Sequence, residues 1–178
     1  MKKLHVIMGA GVQPRWCPQK GGWVKLNSDG AFADNGRADA GMVLRDEKSS
    51  IIFSACRALF SCRDTLEAEL CACMEGLFLA IQRSELSIIV EMDSVVAVKL
   101  IQAREQDRSV YASVVKEIRH LMGLRECCIT HIYRTQNKVR HNLAKFARVE
   151  GTTMTWLSSG LDVPLALAFD DSKDNVIE

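Results

Sequence analysis

A chain of 178 residues has room for one domain of ordinary size and none for a second catalytic domain. Hydrophobic residues make up 48% and charged residues 25%, which excludes disorder along the whole chain, and no run approaches the roughly 18 apolar residues that a bilayer span needs. The net charge of +1 names no partner, but it is unevenly spread: +3 over residues 1–48, −4 over 49–98, +6 over 99–161 and −4 over 162–178. An acidic middle beside a basic third quarter suits a metal site next to a phosphate-binding face, although solvated helix faces give the same arithmetic.

The seven cysteines (Cys17, Cys56, Cys62, Cys71, Cys73, Cys127 and Cys128) are odd in number and contain no C-x-x-C pair. They read as small apolar thiols of an intracellular, reducing compartment, cytoplasm or nucleus, and not as a disulfide framework or a zinc site. The apolar run after Met1-Lys2-Lys3 is broken by His5 and ends at Gln13-Pro14-Arg15 without a cleavage site, so residues 1–22 are expected to be an N-terminal extension.

The fold should start near Trp23. Three short apolar segments, 23–28, 41–45 and 51–58, are separated by the turn formers Asp34-Asn35-Gly36 and Asp46-Glu47-Lys48-Ser49, which predicts an antiparallel meander. The period then changes. Leu66, Leu70, Met74, Leu77 and Ile81 recur at helical spacing, with Asp64 placed to cap the helix and Glu67 to complete a capping box. The β-branched run Ile88-Ile89-Val90 reads as a strand, Ser94 as the cap of a second helix, and Ser109 as the cap of a third through Val110, Val114, Ile118 and Leu121. Residues 127–133 alternate as a further strand, and 137–149 form a last amphipathic helix. The order is β-β-β-α-β-α-α-β-α, an α/β domain over 23–151, with 152–178 expected as a loosely attached acidic tail. Strands that follow helices should enter the sheet in parallel through right-handed crossovers.

This topology gathers three acids. Asp29 ends the first strand and Asp93 the fourth, so a parallel pairing of those strands brings both to one carboxyl edge, where open α/β sheets place their sites. Glu69, on the border of the first helix's apolar stripe, can point at the same edge. Each residue also has a structural explanation: Asp before Gly forms turns, Asp before Ser caps helices, and Glu in a first helical turn answers the helix dipole. Three acids at one edge favour the site.

Asn27-Ser28-Asp29-Gly30-Ala31-Phe32, Gly41-Met42-Val43-Leu44-Arg45-Asp46, Ala68-Glu69-Leu70-Cys71-Ala72, Met92-Asp93-Ser94 and the stretch Arg134-Thr135-Gln136-Asn137 to Ala144 resemble, in order and spacing, the motifs of the ribonuclease H domain family. The particular flavour is similar to plant ribonuclease H-like proteins related to retrotransposon reverse transcriptases, and the similarity runs from about residue 23 to 147. The resemblance implies a ribonuclease H-like fold, with a five-stranded mixed sheet of order 3-2-1-4-5 flanked by helices. It also implies an endonuclease that hydrolyses the RNA strand of RNA/DNA hybrids with two Mg2+ ions. Carried over one at a time, the family's metal-binding acids fall on Asp29, Glu69 and Asp93, while its fourth Asp falls on His141, a departure from the pattern.

Phosphodiester hydrolysis of this kind needs hard oxygen ligands around the ions. Imidazole serves Mg2+ less well than Mn2+ or zinc, so His141 implies a weaker second metal position and a preference for Mn2+; it can also accept a proton through water. Substrate contacts are expected from Arg134, Lys138, Arg140 and Lys145 on phosphates, and from Gly30, Ala31 and Ser94 near the ribose 2′-hydroxyl. The expected partner is an RNA/DNA hybrid or other nucleic acid, with no membrane, and the protein is expected to be a monomer. Two other readings use the same scaffold: a domesticated module, weakly active or inactive, that binds nucleic acid or a protein, and an exonuclease or integrase-like enzyme.

Overall fold

The first three strands are β1 (Trp23–Phe32), β2 (Ala38–Arg45) and β3 (Ile51–Leu59), joined by tight turns into the expected antiparallel meander. This computed structural model describes residues 21–33, 35–59, 61–105, 108–133 and 153–157. The first turn uses Gly36 at φ +80°, a left-handed backbone that glycine adopts without steric cost, and Asn35 Oδ1 accepts the Arg37 N–H at 3.1 Å. In the second turn Asp46 Oδ1 accepts the N–H groups of Lys48 and Ser50 at 2.9 and 2.8 Å.

Two parallel strands complete the centre: β4 (Ser87–Met92) beside β1, and β5 (Cys127–His131) beside β4. A sixth strand, β6 (Met154–Leu157), pairs antiparallel with β3 and sets Trp156 opposite Ser54, so the sheet order is β5-β4-β1-β2-β3-β6. The expected five-stranded sheet is therefore one strand short, and the segment expected as a loose tail contributes that strand. Four residues are too few to show a period, whereas the open edge of β3 supplies the backbone partners that make them a strand. The expected last helix, 137–149, lies outside the described residues.

Helix α1 (Thr65–Arg83) is capped as predicted, Asp64 Oδ1 accepting the Glu67 N–H at 2.9 Å. Glu67 departs from the capping box: its carboxylate accepts the backbone N–H of Arg63 at 2.7 Å and pairs with that guanidinium, one residue upstream of the cap. Helix α2 (Val95–Gln102) is capped by Ser94 through the Ala97 N–H. Helix α3 (Ala112–Gly123) starts later than predicted, because Ser109 closes a separate turn by accepting the Tyr111 N–H. Tyr111 then donates its hydroxyl to Asp64 at 2.6 Å, tying the start of α3 to the start of α1.

The core lies between α1 and one sheet face. Leu26, Met42, Leu44, Phe53, Leu70, Leu77, Ile88, Met92 and Ile118 are fully buried there, each stabilising the fold by about 1.5–3 kcal/mol relative to exposure. Cys56, Cys62 and Cys73 are buried, and Cys71, Cys127 and Cys128 are half-buried; all six are free thiols. Burial pushes the Cys71 and Cys127 thiols up to about 12, which suits packing and disfavours thiolate chemistry. Among the described residues no helix is long and apolar enough to cross a membrane.

Candidate metal centre

Register places the first two acids. In the parallel β1/β4 pairing Lys25 lies beside Ile89 and Asn27 beside Glu91. Two residues further along the chain come Asp29, on the same face of β1, and Asp93, one residue past the end of β4. Asp29 is still within β1, opposite Gly41 of β2, and is 4% exposed; Asp93 sits half-buried in the turn after β4.

The third acid depends on Gly30. A Cβ at that position would lie 2.2 Å from the Ala68 carbonyl carbon, a distance no side chain tolerates, so the absent side chain lets the first turn of α1 rest on the backbone of β1. That contact brings Glu69, 3% exposed, over the strand end, where its Oε2 accepts the Gly30 N–H at 3.2 Å. Ligand atoms of Asp29, Glu69 and Asp93 all lie within 4.8 Å of one another. Three carboxylates this close repel when ionised. Their donor set, all hard oxygen and largely buried, fits a divalent cation such as Mg2+ or Mn2+ as the relieving charge.

The surroundings hold groups that the sequence did not single out. Below the acids Lys25 Nζ lies 3.0 Å from Glu91 Oε1, with side chains 5% and 8% exposed, and Asn27 Nδ2 donates to Glu91 Oε2 at 2.7 Å. To one side, His131 Nε2 donates to the Asp93 carbonyl at 3.2 Å, and its ring meets that of Tyr133 edge to face. The legible signal was period: Lys25, Asn27 and Asp29 alternate along one strand face, and Glu91 and Asp93 keep the same two-residue spacing.

Of the expected substrate contacts, the N–H of Gly30 is engaged by Glu69, Ala31 is half-buried near the end of β1, and the Ser94 hydroxyl caps α2. His141, Arg134, Lys138, Arg140 and Lys145 lie outside the described residues. Part of the positive charge of the third quarter is structural: Arg119 donates to the Leu100 and Ile101 carbonyls at 2.7 and 3.0 Å, closing the end of α2, and Arg125 pairs with Glu85.

Residues 27–147 match the family described as reverse transcriptase-like. A protein of Arabidopsis thaliana, provisionally named a ribonuclease H protein, is 30% identical in a match 151 residues long that covers 80% of this chain and 24% of that protein, so the chain spans about a quarter of its relative's length. The fold is similar to that of ribonuclease H1 from the archaeon Halobacterium salinarum, with a TM-score of 0.67 at 23% identity over 72% of this chain and 99% of that one. It is also similar to a ribonuclease H1 isolated from compost and solved with an RNA/DNA hybrid, with a TM-score of 0.64 at 21% identity over 72% and 98% of the two chains.

Proposed function

Because the chain belongs to the reverse transcriptase-like family and carries its ribonuclease H-like domain, we propose that it is a nuclease hydrolysing the RNA strand of RNA/DNA hybrids with divalent cations held by Asp29, Glu69 and Asp93. The observation that carries this reading is the convergence of those three carboxylates within 4.8 Å at the carboxyl edge of β1 and β4. Divalent ions, when bound, supply charge neutralisation and water activation for in-line displacement at phosphorus.

The chain's own groups supply position. Asp29, fixed within β1, would hold cations together with Glu69, which is aimed by the Gly30 N–H, and Asp93, whose own carbonyl accepts from His131. His141 would complete the donor set. An imidazole there fits Mn2+ better than Mg2+. Phosphate contacts from Arg134, Lys138, Arg140 and Lys145 would position a duplex without reading its sequence, so affinity should fall with salt.

The histidine at the fourth position also favours a second reading, a binding module with weak or no catalysis. Cleavage of a labelled RNA/DNA hybrid, duplex DNA and single strands, in Mg2+ and then in Mn2+, decides between the two. The nuclease reading expects hybrid-selective cleavage that is stronger in Mn2+, lost in Asp29→Asn and raised in Mg2+ by His141→Asp. Retained hybrid affinity with no cleavage under any condition would establish the binding module instead.

A further inference from the structure

The described residues include a second buried charged group, lying one ladder step below the acids. We infer that Lys25, Asn27 and Glu91 are positioning residues that balance charge beneath the carboxylate cluster, and that this balance sets its affinity for divalent cations. The inference rests on the metal-binding role proposed above.

Three observations carry it. The first is placement. Asn27 and Glu91 are register partners; Asp29 follows two residues on along the same face of β1 and Asp93 just past the end of β4, so Glu91 lies one two-residue backbone repeat, roughly 7 Å, below the level of the acids. The second is economy. A buried ion pair is a poor way to stabilise a sheet, since hydrophobic residues of similar volume do as well or better, and the opposite face of the same two strands uses Leu26 and Val90. A Lys–Glu pair retained next to a charged site therefore calls for an electrostatic explanation.

The third is how Glu91 is held. Its Oε1 faces Lys25 and its Oε2 accepts from Asn27, so its charge is offset locally and its oxygens are tied to β1 instead of swinging toward Asp93. With the pair intact, the Lys25 and Glu91 charges offset each other beneath the cluster. Removing only the Glu91 charge leaves the Lys25 ammonium beneath a site that must take up cations, at a range where one unit charge alters divalent affinity by about tenfold or more.

The test is Mn2+ binding to the full chain by isothermal titration calorimetry, for wild type, Glu91→Gln and the double variant Lys25→Met/Glu91→Gln. Gln keeps an acceptor for Asn27, so the tie to β1 survives while the charge goes. The expected result is about tenfold weaker Mn2+ binding in Glu91→Gln, with the double variant within a factor of about three of wild type because neutrality is restored. A purely structural role predicts the reverse ranking, with the double variant at least as impaired as the single. That ranking, or wild-type affinity in a folded Glu91→Gln, overturns the inference. If Glu91→Gln does not fold, the double variant alone decides, near-wild-type binding supporting the inference and tenfold loss overturning it. Absence of Mn2+ binding by the wild type removes the metal reading and this inference together. Mn2+ binding that Asp29→Asn abolishes, with no hybrid cleavage, removes only the nuclease reading and leaves the charge ranking to decide this one.

Discussion

The two faces of the central sheet are made by the same strands and do opposite things. On the face under α1, β1 presents Val24, Leu26 and Ser28, all fully buried, and then Gly30, where the helix touches the backbone. On the other face the intervening residues are Lys25, Asn27 and Asp29; β4 matches Asn27 with Glu91, and Asp93 follows just past the end of the strand. The comparison teaches that fold and chemistry are separated here by a period of two. A slip of one residue in the register of β1 would exchange the faces, putting charge against α1 and leucine in the acid cluster, so the apolar face fixes where the carboxylates stand.

The largest expected effect comes at the one residue where the faces meet. Gly30→Ala must push Ala68 away from β1, and since the opposing atoms are helix backbone, the cost should be about 3 kcal/mol or more in urea denaturation, with Mn2+ binding lost as Glu69 moves off the cluster. An alanine variant with wild-type stability would mean that α1 does not rest on the strand.

The next pair separates the faces directly. Leu26→Ala leaves a cavity between β1 and α1 and should cost about 2–5 kcal/mol, with cation binding kept in the folded fraction. Asp29→Asn should do the converse. It relieves repulsion among three acids, raising the melting temperature of the cation-free protein, while abolishing the stabilisation by Mn2+ that wild type should gain, about 2.7 kcal/mol at a hundredfold excess over Kd. If Asp29→Asn lowers the cation-free melting temperature and leaves the Mn2+ shift intact, the division between the faces is wrong.

Much of this division was readable from the chain. The meander, the first-helix cap and the parallel entry of β4 and β5 follow from local turn chemistry and hydrophobic period, which act over a few residues, and the same period put Asp29, Glu69 and Asp93 at one edge. The close approach at Gly30 was not readable, because Asp-Gly looks the same whether it forms a turn or admits a helix. The Lys25–Glu91 pair was invisible for a different reason: its members are 66 positions apart, and charged residues on strands are ordinarily solvated. Strand β6 escaped because its existence depends on a free edge of β3 that only the assembled sheet provides.

The smallest expected effect lies on the α1 side, at the polar contact that joins two helix starts. The Tyr111 hydroxyl, first, and the Glu67 N–H, second, hold the Asp64 carboxyl below its ordinary value of 3.8. A carboxyl whose folded value is depressed adds stability that is present above the unfolded value and lost as pH falls through the folded one. Tyr111→Phe removes the larger cause and leaves the cap, so Asp64 should titrate closer to its ordinary value, and on acidification the variant should lose less stability than wild type, over a narrower pH window that closes at higher pH. The difference between the two proteins should be greatest near neutrality and should shrink below the folded value, where both carboxyls are protonated. Melting curves from pH 7 to 2 measure this. A gap that stays constant with pH would mean that Tyr111 acts by packing alone, making the α1 side of the sheet apolar in its energetics throughout and sharpening its contrast with the charged face.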